Sequence, residues 1–136
     1  MATGSERRKV LIIEDEPAIR NVLFVLLAGL GCEGDVAYTG QQALSMVSRE
    51  SFDAVLLDLR CNNLGAEQVV SQIKDISPSL VGRVLVITGE VTDPETMELI
   101  SRHLLPHIPH NRLMPELFSK LRRILGLNAS PNHANS

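Results

Sequence analysis

Three features of this sequence predict an α/β fold built on a doubly wound, five-stranded parallel sheet. Short, continuous apolar runs alternate with amphipathic helical stretches along the chain. A strand that is buried on both faces lacks polar alternation, so these runs indicate a parallel sheet covered by helices on both sides. Five strand–helix units can be counted. Right-handed crossovers between them would place a site at the carboxyl ends of the strands.

The strand predictions rest on apolar runs that end at polar residues. The first run, residues 10–13, stops at the acidic triplet Glu14-Asp15-Glu16. Residues 54–58 form the predicted third strand, whose apolar run ends in Asp58, and residues 83–87 form the predicted fourth strand, which ends at Thr88-Gly89. Two weaker strands complete the sheet, and we predict them over residues 35–38 and 104–108.

The helix predictions use the proline, glycine and capping signals at the helix ends. Pro17 suits the first turn of a helix with a broad apolar face that ends before Gly31. Asp93 followed by Pro94 is a typical N-cap with proline at the first helical position. The four later helices are predicted over residues 41–49, 65–76, 94–102 and 114–125.

Length, charge and cysteine content restrict the class of protein. The 136 residues fit one domain, which we place at 8–126 with flexible termini at 1–7 and 127–136. A net charge of -3 gives no reason to expect a nucleic-acid or anionic-membrane partner. No apolar stretch approaches the roughly 20 residues of a membrane span, and no signal peptide is visible, so we expect a cytoplasmic protein. Cys32 and Cys61 have no zinc-site spacing and are predicted to be free thiols.

Acidic and hydroxyl side chains follow the predicted strands where each strand ends. Glu14 and Asp15 follow the first strand, Asp58 ends the third and Thr88 ends the fourth. These side chains should meet at one edge of the sheet, where three carboxylates repel one another unless a hard divalent cation with oxygen ligands, best Mg²⁺, joins them. A carboxylate beside such an ion can act as a nucleophile toward phosphorus.

At these residues the chain resembles the receiver domain family of two-component response regulators. The matching stretches are residues 10–17, 52–59 and 84–89, with Asp58 placed 43 residues after Asp15 and Thr88 placed 30 residues after Asp58. The resemblance implies a flavodoxin-like (βα)5 fold with strand order 2-1-3-4-5. It also implies roles for individual residues: Asp58 as phosphoacceptor, Thr88 as switch hydroxyl, and a site for Mg²⁺ or Mn²⁺ formed by Glu14, Asp15, Asp58 and the backbone carbonyl of Arg60.

The resemblance further implies a function and partners. The domain would accept a phosphoryl group from a histidine kinase or a histidine phosphotransfer protein and then change conformation, either alone or as a homodimer. Its catalysis would be limited to its own phosphorylation and dephosphorylation, so we do not expect an enzyme. The stretch from Gly82 to Thr96 is similar to receivers fused to hybrid histidine kinases, and a stand-alone regulator remains an alternative.

The chain departs from the family pattern near its C-terminus. His110 stands where receivers carry a lysine, and His107 stands at the position of an aromatic switch residue. A histidine is only partly protonated near neutrality and has a different reach from lysine. Arg60, with Glu90 as its candidate partner at the rim of the pocket, could supply the missing cation.

The missing lysine leaves a second function open. The chain could be a pseudo-receiver, a protein-interaction module that works without phosphorylation. A third class, a mononucleotide-binding enzyme on the same sheet, finds no support because no Gly-rich phosphate loop follows any strand.

Overall fold

The computed structural model describes residues 7–61, 65–89 and 93–126. Within these ranges a parallel sheet has the strand order β2-β1-β3-β4-β5, which confirms the predicted fold class. The strands are β1 (Lys9–Ile13), β2 (Glu33–Ala37), β3 (Ala54–Asp58), β4 (Val84–Thr88) and β5 (His107–Pro109). The helices are α1 (Pro17–Gly29), α2 (Gly40–Arg49), α3 (Ala66–Ile76), α4 (Pro94–His103) and α5 (Leu113–Ile124), with 3-10 turns at Pro78–Arg83 and His110–Arg112.

Two hydrophobic clusters form the core, one on each face of the sheet. Alternate residues of β1 point to opposite faces: Leu11 and Ile13 belong to one cluster, and Val10 and Ile12 belong to the other. The first cluster includes side chains of α2, α3 and α4, and the second includes side chains of α1 and α5. Strands β3 and β4 are buried along their whole length, so their apolar runs show no polar alternation.

Two of the predicted strands were placed wrongly along the chain. The second strand was predicted over residues 35–38 but lies at Glu33–Ala37, because its register is set by pairing with β1, from Lys9↔Glu33 to Ile13↔Ala37. Tyr38 lies beyond that strand, where its backbone N–H donates to Gln42 Oε1. At this edge strand only Ala37 is buried, so the sequence carries a weak periodic signal.

The fifth strand was predicted over residues 104–108 and is shorter and later, at His107–Pro109. Helix α4 continues to His103 and ends at Leu104, which adopts a left-handed conformation with φ 55°. The N–H groups of Leu104 and Leu105 close the helix end by donating to Ser101 O and Ile100 O. Among the described residues, no helix has both the length and the apolar character needed to cross a membrane.

Candidate functional site

The strand pairing brings the predicted acidic residues to one edge of the sheet. Ile13 of β1 lies level with Leu57 of β3, so Glu14 and Asp58 are the next residues along two neighbouring strands. Asp58 in turn lies level with Ile87, one residue before Thr88. Glu14, Asp58 and Thr88 are the buried polar residues of the described chain, each 1% exposed. The carboxyl ends of β1, β3 and β4 therefore form one polar rim.

Glu14 is held beside Asp58 with part of its carboxyl group unsatisfied. Its Oε2 accepts a hydrogen bond from the backbone N–H of Glu16 at 3.1 Å. Its Oε1 is buried and has no hydrogen-bond partner among the described residues. Burial, and then the neighbouring Asp58 carboxyl, raises the pKa of Glu14 well above its usual range. Within the part of the chain that the structure describes, Glu14 Oε1 is therefore left without a hydrogen-bond donor.

Asp58 is bound by a cation two residues further along the chain. Its Oδ1 accepts from the Arg60 backbone N–H at 2.9 Å and from Arg60 Nε at 3.3 Å. Its Oδ2 accepts from Arg60 Nη2 at 3.2 Å. The side chain of Asp58 is 1% exposed and that of Arg60 is 38% exposed, so the guanidinium lies between the carboxylate and solvent. The predicted partner Glu90 lies outside the described residues.

Thr88 has a buried hydroxyl at the end of β4. Its Oγ1 has no hydrogen-bond partner within the part of the chain that the structure describes. It lies level with Pro109 of β5, so the next residue, His110, begins the 3-10 turn beside the rim. A buried hydroxyl without a partner is costly, and a ligand oxygen at this edge would relieve that cost.

The two histidines near β5 do not reach Asp58. His107 is half-buried within β5, where it lies level with Val86, and His110 is half-buried just after the strand. Among the residues described, no hydrogen bond or ion pair joins either histidine to Asp58; Arg60 provides that contact. The assigned roles of His107 and His110 remain predictions.

Cys61 is the site residue that sequence reasoning missed. A turn follows β3 and is closed by the Cys61 N–H, which donates to Asp58 O at 3.1 Å. This turn brings the Cys61 thiol close to Glu14. Sγ donates to Ile13 O at 3.5 Å and lies 4.0 Å from Glu14 Oε2. Burial raises the pKa of the Cys61 thiol to about 12. The available signal was its position three residues after a strand-end aspartate, which allows a tight turn.

Two of the predicted metal ligands, Glu14 and Asp15, have ligand atoms close to Cys61. Among the described residues, one group with metal-ligating atoms within 4.8 Å of one another is formed by Glu14, Asp15 and Cys61, with Asp15 exposed and the other two buried. Asp58 was expected in this set, but its carboxylate is turned to Arg60. The acidic pair with the unsatisfied Oε1 of Glu14 suits a divalent cation that prefers oxygen ligands. The carbonyl of Arg60 as a ligand remains a prediction.

A parallel sheet of order 2-1-3-4-5 with acids at the carboxyl edge of β1 and β3 defines a doubly wound α/β protein whose site lies where the strand order reverses. Residues 10–122 match the family model of the response regulator receiver domain. The chain therefore belongs to the response regulator receiver domain family, as the sequence resemblance predicted.

Known relatives agree with this assignment. A response regulator receiver protein of Anaeromyxobacter sp. (strain Fw109-5) is 31% identical over 111 residues, which are 81% of this chain and 45% of that protein. The transcriptional regulatory protein ZraR of Klebsiella oxytoca is 28% identical over 122 residues, 90% of this chain and 26% of ZraR. The chain thus spans less than half the length of these two relatives.

The fold also matches solved structures. A putative response regulator from Chloroflexus aurantiacus superposes with a TM-score of 0.77 at 19% identity, covering 89% of this chain and 99% of that one. At this identity the likeness bears on the fold alone.

Proposed function

We propose that this chain is a phosphoacceptor receiver domain of a two-component phosphorelay, with Asp58 as the residue that takes the phosphoryl group. The observation that carries the proposal is the arrangement around Asp58. Its buried carboxylate lies between Glu14 and Thr88 along the strand ends, and Glu14 Oε1 and Thr88 Oγ1 are both buried without partners among the described residues. A phosphoryl group with its cation would supply both missing partners.

The transfer would form one bond and break another at phosphorus. An oxygen of the Asp58 carboxylate attacks the phosphorus atom of a phosphohistidine on the partner. The P–N bond breaks, its electron pair returns to the imidazole, and an acyl phosphate remains on Asp58. Thr88 Oγ–H then donates to a phosphoryl oxygen, a bond that exists only in the phosphorylated state.

Glu14 and Asp15 would hold the divalent cation, Mg²⁺ or Mn²⁺, with Asp58 and the Arg60 carbonyl as further oxygen ligands. When bound, the cation would neutralise part of the negative charge on the phosphoryl oxygens. The chain's own contribution is to fix three acids at one edge and to keep Glu14 buried beside Asp58.

We further propose that Arg60 takes the role of the absent lysine. Its guanidinium already binds the Asp58 carboxylate through Nε and Nη2. Because the side chain is only partly buried, it can move outward with a phosphoryl group and donate to its oxygens instead. In this proposal, His110 does not need to act as a cation.

The partner would be a histidine kinase or a histidine phosphotransfer protein in the cytoplasm, with the chain acting alone, as a homodimer, or as part of a hybrid kinase. The domain would carry out no reaction beyond its own phosphorylation and dephosphorylation.

One observation favours the second candidate, a phosphorylation-independent pseudo-receiver. The same guanidinium that could assist transfer also blocks Asp58 in the unphosphorylated form, with both carboxylate oxygens engaged. If Arg60 never leaves, the fold would act only as a protein-interaction module.

Phosphorylation by acetyl phosphate separates the two candidates. We expect intact-mass measurements to show one added phosphoryl group in the presence of Mg²⁺, with loss of the adduct on chelation. Asp58→Asn should abolish the adduct, and Asp75→Asn, at an exposed position of α3, should retain it. An unmodified wild-type protein under conditions that modify a known receiver would contradict the proposal and favour the pseudo-receiver.

A further inference from the structure

Cys61 adds a sulfur ligand to the rim where Glu14 and Asp15 lie. The ligand atoms of these three residues are within 4.8 Å of one another. Cys61 is 7% exposed, and its thiol faces Ile13 O and Glu14 Oε2. In addition, the Glu14 carboxyl group is left incompletely satisfied, because its Oε1 is buried with no partner among the described residues.

Sulfur changes the ion that such a site prefers. Mg²⁺ takes oxygen ligands and keeps several waters, and it gains little from a thiol. Zn²⁺ and Co²⁺ bind thiolates well, with a zinc–sulfur distance of about 2.3 Å and zinc–oxygen distances of about 2.0–2.2 Å. Two carboxylates and one thiolate give three protein ligands, and the fourth position stays open for water.

The contact between Asp58 and Arg60 leaves Cys61 as the third candidate ligand beside Glu14 and Asp15. The Asp58 carboxylate is bound by Arg60, so it does not compete with Cys61 for the ion in this state. Asp15 is exposed to solvent, whereas Glu14 and Cys61 are buried. Glu14 Oε2 and Cys61 Sγ are 4.0 Å apart, so binding one ion would require the ligand atoms to move toward it.

We propose that Glu14, Asp15 and Cys61 form a site for a thiophilic divalent cation, of which Zn²⁺ is the representative, and that its binding excludes Mg²⁺ and inhibits phosphorylation. On binding, the Cys61 S–H proton leaves to the solvent buffer and a sulfur lone pair forms the bond to the metal, with no change of oxidation state. The inhibitory part rests on the proposed function, because it requires the same acid pair to serve Mg²⁺.

Co²⁺ is the probe for the site itself. Titration of the metal-free protein with Co²⁺ should produce a near-ultraviolet thiolate-to-cobalt charge-transfer band. Cys61→Ser should remove the band, and Cys32→Ser should keep it, because Cys32 lies in the cluster on the opposite face of the sheet. A wild-type protein without the band, or a Cys61→Ser variant that keeps it, would overturn the proposal.

Zn²⁺ inhibition of phosphorylation tests the regulatory consequence. Cys61→Ser should raise the Zn²⁺ concentration for half-inhibition by about ten-fold or more. Loss of a residue that only hydrogen-bonds to a metal ligand already weakens metal binding, and loss of a ligand itself should weaken it further. The Mg²⁺ requirement should change less than about two-fold, because Mg²⁺ takes oxygen ligands. Equal Zn²⁺ sensitivity in the wild type and in Cys61→Ser would refute inhibition through a site that contains Cys61. The Co²⁺ band does not depend on phosphorylation, so the site can be judged even if the proposed function fails.

Discussion

Arg60 determines the state of the Asp58 carboxylate. It contributes a backbone N–H and two side-chain donors, which together engage both carboxylate oxygens. The contact with Asp58 raises the pKa of the guanidinium further, so its charge is permanent, unlike that of a histidine. A permanent charge that is bound to the carboxylate before the proposed phosphoryl transfer can either assist that transfer or obstruct it.

Substitution of Arg60 distinguishes assistance from obstruction. We expect Arg60→Gln to slow phosphorylation by acetyl phosphate by about ten-fold or more, because a donor to the developing phosphoryl charge is lost. Arg60→Lys should retain part of the rate, since the charge remains and the fork geometry is lost.

Arg49→Gln is the matched control, at an exposed position at the end of α2, and should have no effect. A faster reaction in Arg60→Gln would show that the guanidinium obstructs Asp58.

The residues at strand ends could be predicted from the sequence, and those set by turns could not. Glu14, Asp58 and Thr88 were predicted because parallel strands bring their carboxyl ends to one edge. The place of Cys61 depends on the turn after β3, whose backbone path no periodicity encodes. Arg60 was predicted to cover the pocket, and among the described residues its side chain binds Asp58; its predicted partner Glu90 lies outside those residues.

At the scale of elements, β2 depends on close packing at a glycine. A Cβ added to Gly34 would lie 3.0 Å from Phe24 Cε1, 3.1 Å from Leu27 Cδ1 and 3.2 Å from Ile12 Cδ1. Ile12 and Leu27 are buried in the core between β1 and α1, so two of the three neighbours have little space to move. A side chain at position 34 would therefore force the residues of α1 and β1 that contact it to shift.

Gly34→Ala should lower the free energy of unfolding by about 1–3 kcal/mol, because overpacking forces these neighbours away from their preferred rotamers. Urea denaturation provides the measurement. Gly82→Ala is the control: nothing lies within 4 Å of its added Cβ and its φ is not positive, so its stability should be unchanged or slightly higher. Equal effects of the two substitutions would contradict the packing argument.

An ion-pair network joins α3 to α4 beside the rim. Glu67, in the first turn of α3, contacts His103 Nε2 at 3.0 Å and also pairs with Arg102, both in the last turn of α4. The hydrogen bond with His103 is the main reason that the pKa of Glu67 lies below its ordinary value, and Ser71 and Arg102 act in the same direction. The carboxylate form therefore favours the folded state.

The stabilising effect of Glu67 should depend on pH. Because the folded-state pKa is lowered, the effect is full above the unfolded value of 4.5 and is lost as the pH falls through the lower folded value. Glu67→Gln should reduce stability near neutral pH by less than about 1 kcal/mol, since the pair is exposed. Denaturation at several pH values should show that the stability difference between Glu67→Gln and wild type shrinks in acid. A stability difference that grows in acid would contradict this expectation.

For the whole molecule, the alternation of apolar runs and helices was sufficient to predict the sheet and its two covered faces. The buried strands β3 and β4 gave the clearest signals because every residue in them is apolar or lies at the site. The edge strands were placed less well, since β2 has one buried residue and β5 has three residues in all. The strand order came from the family resemblance and is confirmed by the pairing.

Acidic charge at one edge of the molecule underlies the proposed function. Acids from β1 and β3 meet there, and their repulsion is only partly offset by Arg60, which engages Asp58 and leaves Glu14 Oε1 without a partner among the described residues. A divalent cation shared by these acids would complete the charge balance and prepare Asp58 for phosphorus chemistry.

Titration with Mg²⁺, followed by the carboxyl ¹³C resonances, tests this claim most directly. We expect the resonances of Glu14, Asp15 and Asp58 to move together along one saturating curve. That of Asp93, which caps α4 through the Thr96 N–H, should stay in place. If the resonances of Asp15 and Asp58 remain unmoved while the protein is folded, the acids do not share a cation and the account is wrong.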